Sequence, residues 1–190
     1  EIQNGGVISD GGARAVTDHL NVSAKDDVFL MHSALGTDAR VSLESTNGTS
    51  SLYSDKGNLT VTKGHAGGGE FTIQSAGNLK TEGSTAITSD RITLESTKGS
   101  IHVIANAAVS PKNSDPLWAS INADAAGDIQ ITNTNGNMRV GHIISHNGNV
   151  TLTTNGSFED ATSGGTISSS TDKLQEWEDM GLISDAEDAA

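Results

Sequence analysis

The feature that most limits the fold of this chain is a short unit that recurs along it. Each copy is a glycine turn, usually Gly-Asn, followed by a brief run of alternating apolar and polar residues. The turn glycines are Gly57, Gly77, Gly99, Gly127 and Gly148, and successive ones are 20, 22, 28 and 21 residues apart. A repeat of this length is typical of solenoids, in which each repeat packs only on its neighbours.

The runs between the turns alternate with a period of two, as in β-strands, where successive side chains point to opposite faces. β-Branched residues are abundant in them, and helical spacing fits them poorly. The positions predicted to face inward are Val28, Leu30, Val41, Leu43, Leu59, Val61, Phe71, Ile73, Ile92, Leu94, Ile101, Val103, Ile129, Ile131, Met138, Val140, Val150 and Leu152. The positions predicted to face outward are Ser42, Thr60, Thr72, Thr93, His102, Gln130, Arg139 and Thr151.

Two all-β folds are compatible with short strands separated by turns: an antiparallel sandwich or barrel, and a coil of parallel strands. The fixed period favours the coil. Three glycine pairs lie nine residues apart, which fits one strand plus one turn, and VSLESTNG at 41–48 is echoed by ITLESTKG at 92–99, 51 residues later. About 170 residues at roughly 21 per coil predict about eight coils and a rod of about 40 Å.

The residue after each turn glycine is often Asn or Asp, as at Asn58, Asn78, Asp128 and Asn149. Stacked coils should align these residues in one column. Asn also tolerates the left-handed backbone conformation, which we expect at such corners.

We predict two regions. Residues 1–162 form the parallel β-helix, with irregular coils over Glu1–Asp27 and a protruding loop at 105–120. Both prolines lie in this loop, and proline removes donors from a strand ladder. Its Trp118, Lys112 and Asn113 are the candidate ligand-contact residues. The alternative is that Trp118 folds back over the coil and the loop is an ordinary insertion.

Residues 163–190 are predicted to form a Ser/Gly connector and a short amphipathic helix at Thr171–Met180. Asp172 and Gln175 can form a capping box, and Gly181 is suitably placed to end the helix. Leu174 and Trp177 share one face. We expect this helix to cover apolar surface or an open strand edge of the coil.

The composition limits the partners. A net charge of −13 disfavours nucleic acids and anionic membranes, because phosphate binding needs clustered Lys and Arg. The absence of cysteine excludes disulfides and thiolate metal sites, and it suits a secreted chain. No stretch reaches transmembrane length, so membrane insertion is not expected.

Catalytic and metal-binding patterns are weak. His142 and His146 have H-x-x-x-H spacing, which binds zinc on a helix but not in a strand and turn. The acid candidates Asp26-Asp27, Glu159-Asp160 and Asp179 do not recur at coil spacing beside a base, as a polysaccharide-cleaving site would require. We therefore expect neither an enzyme nor a cofactor.

The turn-strand units and the segment NGNVTLTTNGSF at 147–158 resemble the repeat region of bacterial filamentous haemagglutinin-type exoproteins, including leukotoxin-like filamentous adhesins. The Trp-bearing segment at 174–183 adds to this resemblance, which covers residues 28–183. The resemblance implies a right-handed parallel β-helix, export through a partner outer-membrane β-barrel by two-partner secretion, and a role in adhesion. It brings no catalytic residues.

These observations predict a structural or adhesive segment of a secreted or cell-surface bacterial adhesin. Its expected partners are an outer-membrane transporter and an unspecified host-surface receptor or glycan. Two alternatives stay open: a glycan- or receptor-binding module, and, less favoured, a polysaccharide lyase or hydrolase.

Overall fold

The computed structural model describes residues 2–4, 8–107, 119–161 and 167–168. Within these ranges the chain is all-β without helices, and its strands pair in parallel into a solenoid of about six turns. The predicted parallel coil is therefore confirmed and the antiparallel alternative is excluded. The number of turns is lower than the predicted eight, because one coil uses 28 residues and the chain ends lie largely outside the described ranges.

The strands, in chain order, are β1 (Ile2–Asn4), β2 (Ile8–Val16), β3 (His19–Ala24), β4 (Val28–Ser33), β5 (Asp38–Ser45), β6 (Ser50–Ser54), β7 (Asn58–Ser75), β8 (Leu79–Thr81), β9 (Ala86–Ser96), β10 (Ile101–Ala107), β11 (Ser120–Ala125), β12 (Ile129–Asn133), β13 (Met138–Ser145), β14 (Val150–Thr154), β15 (Phe158–Asp160) and β16 (Ile167–Ser168).

The strand registers define three stacks that run along the solenoid axis. The first stack contains β8, β12, β14 and the initial parts of β5, β7 and β10. The second contains β1, β3 and the following parts of β5, β7, β9 and β10. The third contains β2, β4, β6, β11, β13, β15 and β16 with the ends of β7 and β9. The 18-residue β7 passes through all three, with register irregularities where it changes stack.

The solenoid interior is lined by the predicted inward residues. All of them are buried except Leu152, which is half-buried and packs against the core. None of the eight predicted outward residues is buried. Like side chains stack from coil to coil, as in the neighbours Ile101 and Ile129. Burying each such side chain stabilises the fold by about 1.5–3 kcal/mol relative to exposure.

The corner between the third and first stacks carries a hydrogen-bonded ladder. The side-chain oxygen of each corner residue accepts the backbone N–H of the equivalent residue one coil later. The bonds run from Asn78 to Asn58 at 2.8 Å, Ser100 to Asn78 at 2.8 Å, Asp128 to Ser100 at 3.0 Å, and Asn149 to Asp128 at 2.7 Å. The predicted alignment of these residues is confirmed.

The reason predicted for asparagine at these corners is wrong. Among the described residues a positive φ occurs only at Gly57, Gly83 and Gly136, and no residue other than glycine has one. Asn, Asp and Ser occupy the corner because they carry an acceptor on a short side chain that reaches the next coil.

The glycines before the ladder residues are required by close approach. A Cβ atom added at Gly99, Gly127 or Gly148 would lie 2.5 Å from the ladder oxygen of the preceding coil, on Asn78, Ser100 or Asp128 respectively. Real Cβ contacts are not this short. The recurring Gly-Asn pair therefore combines an acceptor for the next coil with room for the acceptor of the previous one.

Serines at strand ends brace the corners from inside. Ser96 and Ser145 are buried, and each hydroxyl accepts the N–H of the glycine three residues later, at 3.1 and 3.0 Å. Each also donates to the carbonyl of a corner glycine one coil earlier, at 2.8 Å. Ser45 makes the same contact to Gly48 at 2.8 Å. This shared Ser-x-x-Gly brace explains the 51-residue echo, although the two copies lie in different stacks.

Parts of two predictions lie outside the described residues. β10 continues through Ala107 and β11 begins at Ser120, so both ends of the predicted loop belong to strands. Residues 108–118 and the predicted helix at Thr171–Met180 are not described. The described ranges contain no helix of the length and hydropathy needed to cross a bilayer.

Candidate functional site

The predicted ligand-contact loop is rooted where the second stack leads into the third. Its candidate residues Lys112, Asn113 and Trp118 lie outside the described part of the chain. Its neighbours are described: Ala107 pairs with Ser89, and Ser120 pairs with Arg91. The loop therefore departs from the corner that follows Ser89 in the coil below.

A column of charged side chains stands beside the base of this loop. Glu70 is the register neighbour of Arg91, and Arg91 is the neighbour of Ser120. Arg139, one coil further, donates from Nε to the carbonyl of Ala119 at 3.1 Å, and its Nη1 lies 3.4 Å from Oε2 of Glu159. Along this edge of the third stack two arginines thus lie on either side of Ser120, with a glutamate beyond each of them.

This column corrects one expectation. Glu159 does recur at coil spacing beside a base, because Arg139 precedes it by 20 residues and the two are register neighbours. A search of the sequence for opposite charges one coil apart would have found the pair of Arg139 and Glu159. The same search would have found Glu70 and Arg91, which are 21 residues apart.

The geometry of the column does not match glycoside hydrolysis. Glu70 and Glu159 are separated by four coil steps, which is about 19 Å at the usual strand spacing. Paired catalytic carboxylates lie only about 5–10 Å apart. The column can offer hydrogen bonds, and its ion pair is partly buried, with side chains 18% exposed at Arg139 and 39% exposed at Glu159.

The two histidines of the H-x-x-x-H spacing make separate contacts. The backbone N–H of His142 donates to Oδ1 of Asn122 at 3.0 Å. Nε2 of His146 lies 2.9 Å from Oδ1 of Asp124, on the preceding coil. Across the described ranges no group of three or more His, Asp or Glu side chains is placed to hold a metal ion.

The start of the corner ladder perturbs one carboxyl group. Nδ2 of Asn58 donates to Asp38 at 3.0 Å, and the hydroxyl of Thr37 donates at 2.9 Å. These hydrogen bonds, with a smaller contribution from Lys80, lower the pKa of Asp38 below the ordinary value of an aspartate. The stabilising effect of the ionised group is therefore present at neutral pH and is lost as the pH falls through this lowered pKa.

We predict that the Asp38 carboxyl titrates below its ordinary value in a carbon-detected NMR titration. Replacing Asn58 with alanine should move the midpoint upward, because it removes the largest cause of the shift. Thr37→Val should move it in the same direction by less. A midpoint that does not change in Asn58→Ala would contradict the assigned cause.

A set of exposed apolar side chains was not predicted from the sequence. Phe29, Met31, Tyr53 and Val16 are 46%, 38%, 45% and 56% exposed. A signal was present, because β4 reads VFLMHS and is apolar at outward as well as inward positions.

Comparisons of the chain with protein-family models, curated proteins and solved structures found no match. The structure by itself defines a class: a parallel β-solenoid whose coils are joined at one corner by a side-chain ladder.

Proposed function

We propose that this chain is a stiff spacer segment of a large secreted or surface-displayed bacterial filamentous adhesin. The observation that carries the proposal is axial continuity. The first stack pairs in parallel from β5 to β14, and every coil in that range also contributes a residue to the corner ladder. Such a solenoid gains length by adding coils, without a change in cross-section.

The exported location is supported by composition and by the resemblance to filamentous exoproteins. The chain has no cysteine to form disulfides before export. The segment at 147–158 that carries the resemblance forms one corner, the strand that follows it and the next corner. These are the parts of the coil that repeat. An outer-membrane β-barrel transporter and a host-surface receptor or glycan are the partners that follow from this proposal.

Surface charge supports a rod that stays separate from its neighbours. The chain has 24 acidic and 11 basic residues. Net charge far from zero opposes association between copies of a protein. A spacer that must extend from a surface benefits from this repulsion.

A spacer should tolerate the loss of a whole coil. Deleting residues 58–77 joins Gly57 directly to Asn78, which occupies the corner position of Asn58. The deletion keeps apolar residues in register, since Leu52 then stacks on Leu94. We expect a folded, β-rich chain, shorter by about 4.8 Å, as measured by circular dichroism and small-angle scattering.

The matched control deletes half a coil. Removal of residues 58–67 places the third-stack strand that begins near Glu70 in the first stack. Its inward and corner positions then no longer align with those of the neighbouring coils. We expect that this variant does not fold. If both deletion variants fold, or if neither does, the assigned coil register is wrong.

Antibodies against the chain should label intact source cells. Labelling that occurs only after the cells are lysed would overturn the surface proposal.

A further inference from the structure

Of the five large apolar side chains that are exposed in the described residues, four form one patch on the outer side of the third stack, at its first coils; the fifth, Leu35, lies in the bend after β4. We define this apolar patch as Val16, Phe29, Met31 and Tyr53. Met31 and Tyr53 are direct register neighbours on β4 and β6. Phe29 precedes Met31 by two residues and points to the same side, and Val16 lies opposite Ser33 on the adjacent strand.

The patch is confined to these coils. Beyond it, up to the half-buried Ile144 that is the register neighbour of Asp124, the same two outward columns carry polar side chains. Those residues are Ser51, Thr72, Gln74, Thr93, Glu95, Asn122 and Asp124. Neither strand pairing nor core packing requires apolar side chains at the outward positions, since the polar ones are accommodated in the same registers. The largest exposed apolar patch of a protein is often a functional surface.

Polar groups border the patch. Arg14, the register neighbour of Met31, forms an ion pair with Asp55, which lies two residues after Tyr53. The two side chains are 40% and 46% exposed. The ion pair spans the intervening strand β4, so guanidinium donors and a carboxylate acceptor are held beside the apolar side chains.

The size of the patch favours a small ligand. An aromatic side chain has about 150–250 Å² of surface, so Phe29 and Tyr53 each present roughly 70–110 Å², and the whole patch about 300 Å². A stable protein interface buries about 800 Å² on each partner. The patch is therefore too small to hold a second copy of the chain or another folded protein by itself.

We propose that the apolar patch binds a neutral oligosaccharide. The apolar C–H face of a pyranose ring packs on Phe29 and Tyr53, since the negative face of an aromatic ring attracts weakly positive hydrogens. Sugar hydroxyls take hydrogen bonds from Arg14 and donate to Asp55. The net charge of −13 repels acidic sugars. This site is independent of the spacer role and of the loop that carries Trp118.

The test is binding of the purified chain to a panel of immobilised neutral and acidic oligosaccharides. We expect a neutral ligand whose affinity falls at least tenfold in Tyr53→Ala and in Phe29→Ser. The matched control is Thr93→Ala, an outward position of the same stack three coils from Phe29, which should stay within twofold of the parent. Circular dichroism checks that each variant is folded.

Other outcomes overturn the proposal. These are the absence of glycan binding, binding of acidic glycans only, and binding that survives Tyr53→Ala but is lost in Trp118→Ala. If sedimentation shows a dimer that Tyr53→Ala dissociates, the patch is an interface between two copies of the chain. If the chain binds a protein that carries no sugar, and Tyr53→Ala abolishes this binding, the patch binds a protein partner. The deletion of residues 58–77 leaves the patch in place, so failure of the spacer proposal does not decide this one.

Discussion

Replacing Ile131 with aspartate should unfold the solenoid, whereas the same replacement at the adjacent Gln130 should leave it folded. Ile131 is fully buried, and its register neighbours in the coils before and after it are Val103 and Leu152. A carboxylate there would have no partner among these apolar side chains, and burying it would cost several kcal/mol. That is comparable with the total stability of a typical domain, about 5–15 kcal/mol.

Gln130 provides a matched control because it lies on the same strand one residue away and is exposed. Its register neighbours, His102 and Thr151, are exposed as well. Urea denaturation followed by far-UV circular dichroism distinguishes the two variants. A cooperative transition of unchanged midpoint in Ile131→Asp would show that the inward assignment of this strand is wrong.

Replacing Gly99 with alanine should destabilise the solenoid by about 1–3 kcal/mol, the usual cost of inserting a methyl group where there is no space. Its Cβ would lie 2.5 Å from Oδ1 and 2.6 Å from the backbone N of Asn78, and 2.7 Å from the carbonyl carbon of Gly77. Two of these atoms belong to backbone that is held in the neighbouring coil. The corner must therefore open, and the ladder bond between Ser100 and Asn78 should weaken.

Gly36→Ala is the control, because a Cβ there meets nothing closer than 3.5 Å and the residue has no positive φ. We expect its midpoint of unfolding to stay near that of the parent. The double variant Gly99→Ala with Asn78→Ala should remain destabilised, since the backbone contacts persist. Equal stabilities for Gly99→Ala and Gly36→Ala would mean that the corner spacing is not limited by the glycine.

The strand faces were predictable because they follow from local geometry. A strand alternates its side chains whatever surrounds it, so Leu59 and Val61 could be assigned to one side and Thr60 to the other from the sequence. The glycine period was equally informative, since the corners at Gly77 and Gly127 hydrogen-bond to the corner glycines one coil earlier, at 2.9 and 2.8 Å.

The role of the corner asparagines was not predictable from their conformation. Asn58 has an ordinary negative φ, and its value to the fold lies in an oxygen 2.8 Å from the N–H of Asn78. That contact joins residues 20 positions apart. The propensity of Asn for left-handed corners is a local argument, and it gave the right residue for the wrong reason.

The contacts on the surface also depend on coil spacing and not on local sequence. Arg139 and Glu159 meet because one coil separates them, and Met31 meets Tyr53 for the same reason. The 41–48 and 92–99 segments, by contrast, share a sequence but lie in different stacks, because 51 residues is not a whole number of coils.

The sequence by itself determined that this chain forms short strands, which side of each strand is buried, and where glycine corners divide the coils. These properties depend on alternation and on turn chemistry within a few residues. Only the tertiary structure decided which distant residues become neighbours: the ladder, the charged column and the apolar patch. Stacking brings residues about 20 or more positions apart to within one strand spacing, about 4.8 Å, and one added residue in a coil would change which side chains meet.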